Sequence, residues 1–229
     1  MDTPFVEWEQ FYREFRWRQG DHVTFLGQTE CGKTTFALNV LDRRAYHVIL
    51  VTKRKDPQLD RLKKRGYIEV KEWNEIIPEL GNRWLLRPPL NSLDGASQQR
   101  CFYDALNGAF RTGKWTVYAD EVRYLTDTLK LRNQMEILWL QGRTLKLSIV
   151  AATQRPAHIP LEAYSQASHL FFWRTTDDRD LRRVSEIGGT VDGKKIRQEI
   201  PRLRNHEALY VCARNGQLLR TKVPKELVK

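Results

Sequence analysis

The chain has 229 residues, the length of one α/β domain with small appendages and enough to bury a substantial core. Its 41% hydrophobic content is that of an ordinary globular protein, and no apolar run approaches the ~20 residues of a bilayer-spanning helix. A net charge of +11 at a sequence pI near 9.7 points to a polyanionic partner, nucleic acid first.

In chain order, residues 1–20 read as a short amphipathic helix, because Phe5, Trp8, Phe11, Tyr12 and Phe15 recur at helical spacing. The opening MDTPFVEWEQFYREFRW lacks the basic start and apolar block of a signal peptide, which predicts a cytoplasmic chain. HVTFLG (22–27) reads as a strand, and the stretch 33–41 then switches to helical spacing. AYHVILVTK (45–53) is apolar almost throughout, the pattern of a strand covered on both faces. Further strands are expected at YIEV (67–70), WTVYAD (115–120), LSIVAAT (147–153), HLFFWRT (169–175) and EALYVCA (207–213), with helices at 97–110 and 131–140. LGNRWLLRPPLNSLDGA (80–96) reads as a connection. Asn215-Gly216 predicts a hairpin between EALYVCAR and GQLLRTKV. Strands alternating with helices predict an α/β fold with a largely parallel, doubly wound sheet in residues 21–229, its C-terminal extension starting at about 188. Cys31, Cys101 and Cys212 are odd in number and far apart, so they read as reduced thiols and not as a zinc site.

GQTECGKT (27–34) matches the pattern G-x-x-x-x-G-K-[ST], and its setting between a strand and a helix is the one that pattern requires. Gly27 and Gly32 are read as allowing turns barred to other residues. The backbone N–H groups of Gly27, Gln28, Thr29, Glu30, Cys31, Gly32, Lys33, Thr34 and Thr35 are then candidates for an anion-binding nest at a helix N-terminus. Lys33 would reach the β- and γ-phosphates of ATP, and the Thr34 hydroxyl would ligate Mg²⁺. Cys31 is small enough not to block a phosphate; a reactive thiol there is the alternative. Glu30 must point outward.

WTVYADE (115–121) is an apolar strand closed by two acids. Asp120 is the candidate second magnesium residue, and Glu121 the candidate base or water-polarising group, which favours a hydrolase over a small-molecule kinase. LSIVAATQRP (147–156) ends in Thr153 and Gln154. If this strand lies between the loop strand and the Asp-Glu strand, Gln154 reaches the γ-phosphate and senses it.

The order GQTECGKTT, VYADE, a helix with QGR (141–143), IVAATQRP and then DLRRVSEIGG (180–189) resembles the FtsK/HerA superfamily of P-loop motor ATPases. The resemblance implies a RecA-like (ASCE) P-loop fold and a ring of like subunits, usually a hexamer, that threads double-stranded DNA using ATP. A bare motor without membrane segments, winged helix or N-terminal barrel looks most like the genome-packaging ATPases of internal-membrane, double-jelly-roll viruses. That implies a capsid vertex or membrane protein as docking partner, in the host cytoplasm or the virion. It also implies an arginine supplied between subunits, with Arg143 in the expected place and Arg123 and Arg155 as rivals. The basic clusters at 53–55, 61–65, 179–183 and 194–197 are candidate DNA contacts. The alternatives are an ATPase that remodels protein, indifferent to DNA, and a nucleotide-binding kinase or switch.

Overall fold

The computed structural model describes residues 3–90, 95–185, 192–222 and 224. Parts of three sequence-read stretches, 91–94 in the connection, 186–189 of DLRRVSEIGG, and 188–191, 223 and 225–229 of the extension, lie outside the described residues.

Among the described residues nine strands form one sheet, in the order β3-β4-β2-β5-β6-β1-β7-β8-β9. In chain order these are β1 (His22–Leu26), β2 (His47–Leu50), β3 (Ile68–Val70), β4 (Arg83–Leu86), β5 (Thr116–Ala119), β6 (Ser148–Thr153), β7 (Ala167–Phe172), β8 (Glu207–Cys212) and β9 (Gln217–Lys222). Strands from β3 through β7 pair in parallel, and β8 and β9 add antiparallel. Every residue of β1, β2, β5, β6 and β7 is buried, the reason those segments read as continuous apolar runs.

The helices are α1 (Trp8–Glu14), α2 (Lys33–Leu41), α3 (Pro57–Asp60), α4 (Ala96–Thr112), α5 (Arg132–Gln141), α6 (Glu162–Ser165), α7 (Asp178–Ser185) and α8 (Gly193–Glu199). Strand alternation sends side chains into two cores. Ile149 and Ala151 of β6 meet α4 and α5 through Phe102, Leu106, Met135 and Trp139. Val150 and Ala152 face α1 and α2 through Trp8, Phe11 and Phe36. This is the α/β architecture expected, with helices on both faces and a C-terminal hairpin around residues 213–216. No helix among the described residues is long and apolar enough to cross a membrane.

Two sequence expectations change. The segment 80–96 is not only a connection: Arg83–Leu86 forms β4, between β3 and β2. Its apolar run is just Trp-Leu-Leu, and the prolines at 88 and 89 mask it. The N-terminal helix covers Trp8–Glu14 and not the whole of 1–20. Phe5 lies outside it, 43% exposed, in a bridge to Arg220 of β9, and so is not part of the helix stripe. Trp8 and Phe11 pack on Phe36, with ring centroids 4.9 and 5.7 Å away.

Candidate active site

β6 lies between β1 and β5, the placement that the reading of Gln154 requires. The C-terminal ends of these three parallel strands bring together the quoted loop, the acid pair and the Thr153-Gln154 end. Crevices outside the carboxyl ends of parallel strands are where open α/β sheets bind ligands.

The loop turns into α2 at Gly32, whose φ of 102° is left-handed and suits only glycine well. Glu30 also has a positive φ, 62°, and its side chain is exposed, as expected. Gly27 serves differently from the reading given it. Its φ is not positive; a Cβ there would lie 2.6 Å from Trp173 Cβ and 2.9 Å from Cys31 Sγ, so space and not conformation requires glycine. Cys31 fills the loop against that glycine, and burial raises its thiol, which opposes the reactive alternative. Gln28 and Thr29 are exposed, and Thr35 Oγ1 accepts from Gln58 Nε2 at 3.0 Å.

Lys33 is buried, and its Nζ donates to the carbonyl oxygens of Gly27 and Gln28 at 2.5 and 2.6 Å. Thr34 Oγ1 donates to Asp120 Oδ1 at 2.9 Å. The period of two along β5 puts Tyr118 on the same side as Asp120, and the Tyr118 hydroxyl donates to that same oxygen. Lys53, beyond β2, has its Nζ 4.0 Å from Asp120 Oδ2. Glu121 is half-buried, and Thr153 Oγ1 donates to its Oε1 at 3.3 Å. Burial raises the Glu121 carboxyl and outweighs the lowering by Lys33 and Thr153, which keeps its affinity for a proton higher than that of an ordinary glutamate. Gln154 is exposed and accepts, through Oε1, a bond from Thr29 of the loop at 3.0 Å.

The arginines separate. Arg155 stays at this end, paired with Asp177 at 3.0 Å and Asp180 at 3.2 Å. Arg123 is exposed and 3.6 Å from Asp127. Arg143 lies at the opposite end of β6, about 20 Å along the strand, exposed, with Nη2 3.3 Å from Ser168 Oγ.

A cavity of about 430 Å³ opens beside the loop, walled by residues 28–31 on one side and by 173–176 and 204–206 on the other. Sequence reasoning missed this wall, along with Tyr118 and Lys53. The polar run after HLFFW marks it, since it follows the C-terminal end of a parallel strand.

No known family profile matches the chain, and no curated protein matches it in sequence. Solved structures do. The genome packaging NTPase B204 from Sulfolobus turreted icosahedral virus 2, in complex with sulfate, superposes with a TM-score of 0.70 at 16% identity, covering 90% of this chain and 98% of that one. The fold is that of a RecA-like P-loop ATPase. B204 has also been solved with AMPPCP and with ATP-gammaS. VirB4 of Thermoanaerobacter pseudethanolicus gives a TM-score of 0.64 at 10% identity over 89% of both chains. EssC (ATPases 2 and 3) from Geobacillus thermodenitrificans gives 0.54 at 11% over 90% of this chain and 40% of that one. The resemblance to FtsK/HerA-type ATPases read from the motifs is thus matched at the level of fold.

Proposed function

We propose that the chain is an ATP-hydrolysing DNA translocase, the motor that drives a double-stranded DNA genome into a capsid. The observation that carries the reading is the convergence of Lys33, Thr34, Asp120, Glu121 and Gln154 at the carboxyl ends of β1, β5 and β6, on a fold shared with a genome packaging NTPase.

In this reading the amides of residues 27–35 and Lys33 hold the phosphates of ATP, and the cavity beside the loop takes the nucleoside. Thr34 Oγ1 and the Asp120 carboxylate are hard oxygen donors 2.9 Å apart. They suit Mg²⁺, which takes one or two protein oxygens and completes its shell with phosphate and water. When bound, the ion offsets charge on the phosphates. Tyr118 fixes the orientation of Asp120. Glu121, oriented by Thr153, accepts a proton from the attacking water, and its raised proton affinity suits that task. Gln154 touches the loop through Thr29, so loss of the γ-phosphate changes what it is bonded to.

Arg143 is too distant from its own chain's Lys33 to act there. It serves the site of the next subunit in a ring homo-oligomer, a hexamer, and stabilises charge on the transferring phosphoryl group. Residues 21–229 are the ATPase unit, 1–20 its N-terminal arm, and the strands after about 188 its extension. DNA contacts come from the basic clusters. Those at 179–183 and 194–197 meet in the α7–α8 pair, where Asp178 already pairs with Arg182 and with Arg197 at 2.8 Å. The cluster at 53–55 is exposed at the same end of the sheet as the loop. The motor works in the host cytoplasm or the virion, docked on a capsid vertex or membrane protein.

The test is ATP turnover by purified protein at low salt, with and without long duplex DNA. Stimulation by DNA that fades steeply with salt is expected. Turnover indifferent to DNA at every protein concentration would remove the translocase reading and leave an ATPase that remodels protein. Mixing Lys33→Ala with Arg143→Ala protein tests the ring: each supplies what the other lacks, so partial turnover returns only if the arginine acts between subunits.

A further inference from the structure

Away from the loop, β7 and β8 bring a second set of reactive groups together on the α1 face of the sheet. His169 and Cys212 are direct partners in the antiparallel pairing. Their side chains therefore leave the same face about 5 Å apart at Cβ. The Tyr210 hydroxyl shares that face and meets His169 Nδ1 at 2.9 Å. Asp21, which enters β1, brings its Oδ2 to 3.8 Å from His169 Nε2. The other Asp21 oxygen is held by Arg214, from the β8–β9 turn. His169 and Asp21 are each 2% exposed, and His169 Nε2 has no hydrogen-bond partner among the described residues. A cavity of about 80 Å³ opens on this cluster, lined in part by Phe15, Arg16, His169, Tyr210 and Cys212.

The surroundings favour a thiolate. Burial alone would push the Cys212 thiol up, but the His169 ring and the backbone N–H groups of Asn215 and Arg214 outweigh it and bring it down to about 7. His169 is raised despite its burial, by Asp21 and Cys212. Asp21 is lowered despite its burial, by His169 and Arg214. The other two cysteines are set the opposite way. Burial raises Cys31, and burial with Glu72 and Asp104 nearby pushes Cys101 up to about 12.

We propose that Cys212, His169 and Asp21 form a reactive-thiol site, at which Cys212 is the cysteine of this chain that small hydroperoxides oxidise. The Cys212 sulfur attacks one peroxide oxygen; an S–O bond forms as the O–O bond breaks. Sulfur is oxidised to the sulfenic acid and the peroxide is reduced. With hydrogen peroxide the departing hydroxide takes the proton of the His169 imidazolium and leaves as water; with an alkyl hydroperoxide the departing alkoxide takes it and leaves as the alcohol. The cavity holds a molecule the size of about two or three waters, which fits a small hydroperoxide and excludes a bulky disulfide. Phe15 lines the same cavity, its ring centroid 4.9 Å from that of His169, so an oxygen added to Cys212 there would bear on the docking of the N-terminal segment.

The intact chain is treated with hydrogen peroxide from about pH 5.5 to about 9, trapped with a dimedone-type probe, and each cysteine is read by peptide mass spectrometry. The charged and titratable groups around the thiol and its histidine are His169 of β7, Tyr210 of β8, Arg214 of the turn, Asp21 beside His169, and Glu14 and Arg16 of the N-terminal segment. Lowering a thiol from 9.0 to about 7 raises its thiolate fraction at pH 7 about fifty-fold and lowers its intrinsic nucleophilicity about eight-fold, a net gain of about six-fold. Cys212 is therefore expected to label first, with a midpoint near 7 and a rate at least about five-fold above Cys31 and Cys101. His169→Gln is expected to move the midpoint up by more than about one pH unit. Iodoacetamide on the same wild-type samples reads thiolate and access without any variant. Labelling of Cys212 no faster than Cys101, no labelling by either reagent, or a wild-type profile without an inflection below about pH 8 would each overturn the proposal.

Discussion

At the carboxyl ends of β1, β5 and β6, polar side chains bond mostly to one another: Thr34 to Asp120, Tyr118 to Asp120, Thr153 to Glu121, Thr29 to Gln154. At the opposite ends of the same strands, polar side chains bond mostly to the backbone, with the Arg143–Ser168 and Arg214–Asp21 contacts as exceptions. Gln19 donates to the carbonyls of Lys114 and Lys146 at 2.9 and 2.7 Å, and Ser148 Oγ accepts from the N–H of Gly20 at 2.9 Å. His22 sits between Trp139 O at 3.1 Å and the N–H of Ile149 at 2.9 Å. A bond between two side chains can be exchanged for one to a ligand without disturbing the chain; a bond that satisfies buried backbone cannot. One end of the sheet is built for exchange and the other for closure, although the residue types overlap.

The sharpest way to break the contrast is Lys33→Ala. It removes the one cation buried in the loop and is expected to abolish ATP binding, while His22 and its partners keep the fold, as circular dichroism and an ATP titration would show together. Retained ATP affinity would mean that the loop does not hold phosphates.

Acid should attack the other end. His22 and His47 are both lowered from 6.5 to about 4, chiefly by burial. The N–H of Ile149 already occupies His22 Nδ1, so a proton cannot be added there without losing that bond. The unfolded chain takes up protons at about 6.5 and the folded chain resists until about 4, so stability is present above 6.5 and lost as pH falls through that window. The limit is about 3 kcal/mol per histidine. Denaturant unfolding at about pH 7.5 and about pH 4.5 measures it, and equal midpoints would contradict it. His169, raised in the folded chain, runs the other way: its contribution is complete at low pH and is lost as pH rises through its raised value.

Tyr118→Phe is the smallest change. It deletes one donor to Asp120, which is expected to raise the magnesium concentration needed for half-maximal turnover about ten-fold and leave ATP affinity unaltered. No change in the magnesium titration would show that Tyr118 does not orient the acid.

Much of the candidate site is legible in the sequence because it is built from local patterns. The loop spacing, an acid pair closing an apolar strand and Thr153-Gln154 closing another each sit on a single element, and the family resemblance supplies the order that brings the elements together. What stays hidden depends on pairing between distant segments. β4 carries only Trp84, Leu85 and Leu86 between turn residues, and just its placement between β3 and β2 identifies it as a strand. Gly27 looks like a turn glycine until Trp173 is seen against it. The cavity wall joins residues 173–176 to 204–206, which no periodicity links. Tyr118 was readable in principle, since alternation along TVYAD puts it on the side of Asp120, but an apolar strand gives no reason to single out its tyrosine.

The most direct measurement is single-turnover phosphate release by wild-type and Glu121→Gln protein at saturating Mg-ATP, with the ATP retained on the protein read from the same samples. Glu121→Gln is expected to keep its ATP and release phosphate about 10²- to 10⁴-fold more slowly than wild type. Equal rates would contradict the account, because the acid that closes β5 would then take no part in hydrolysis.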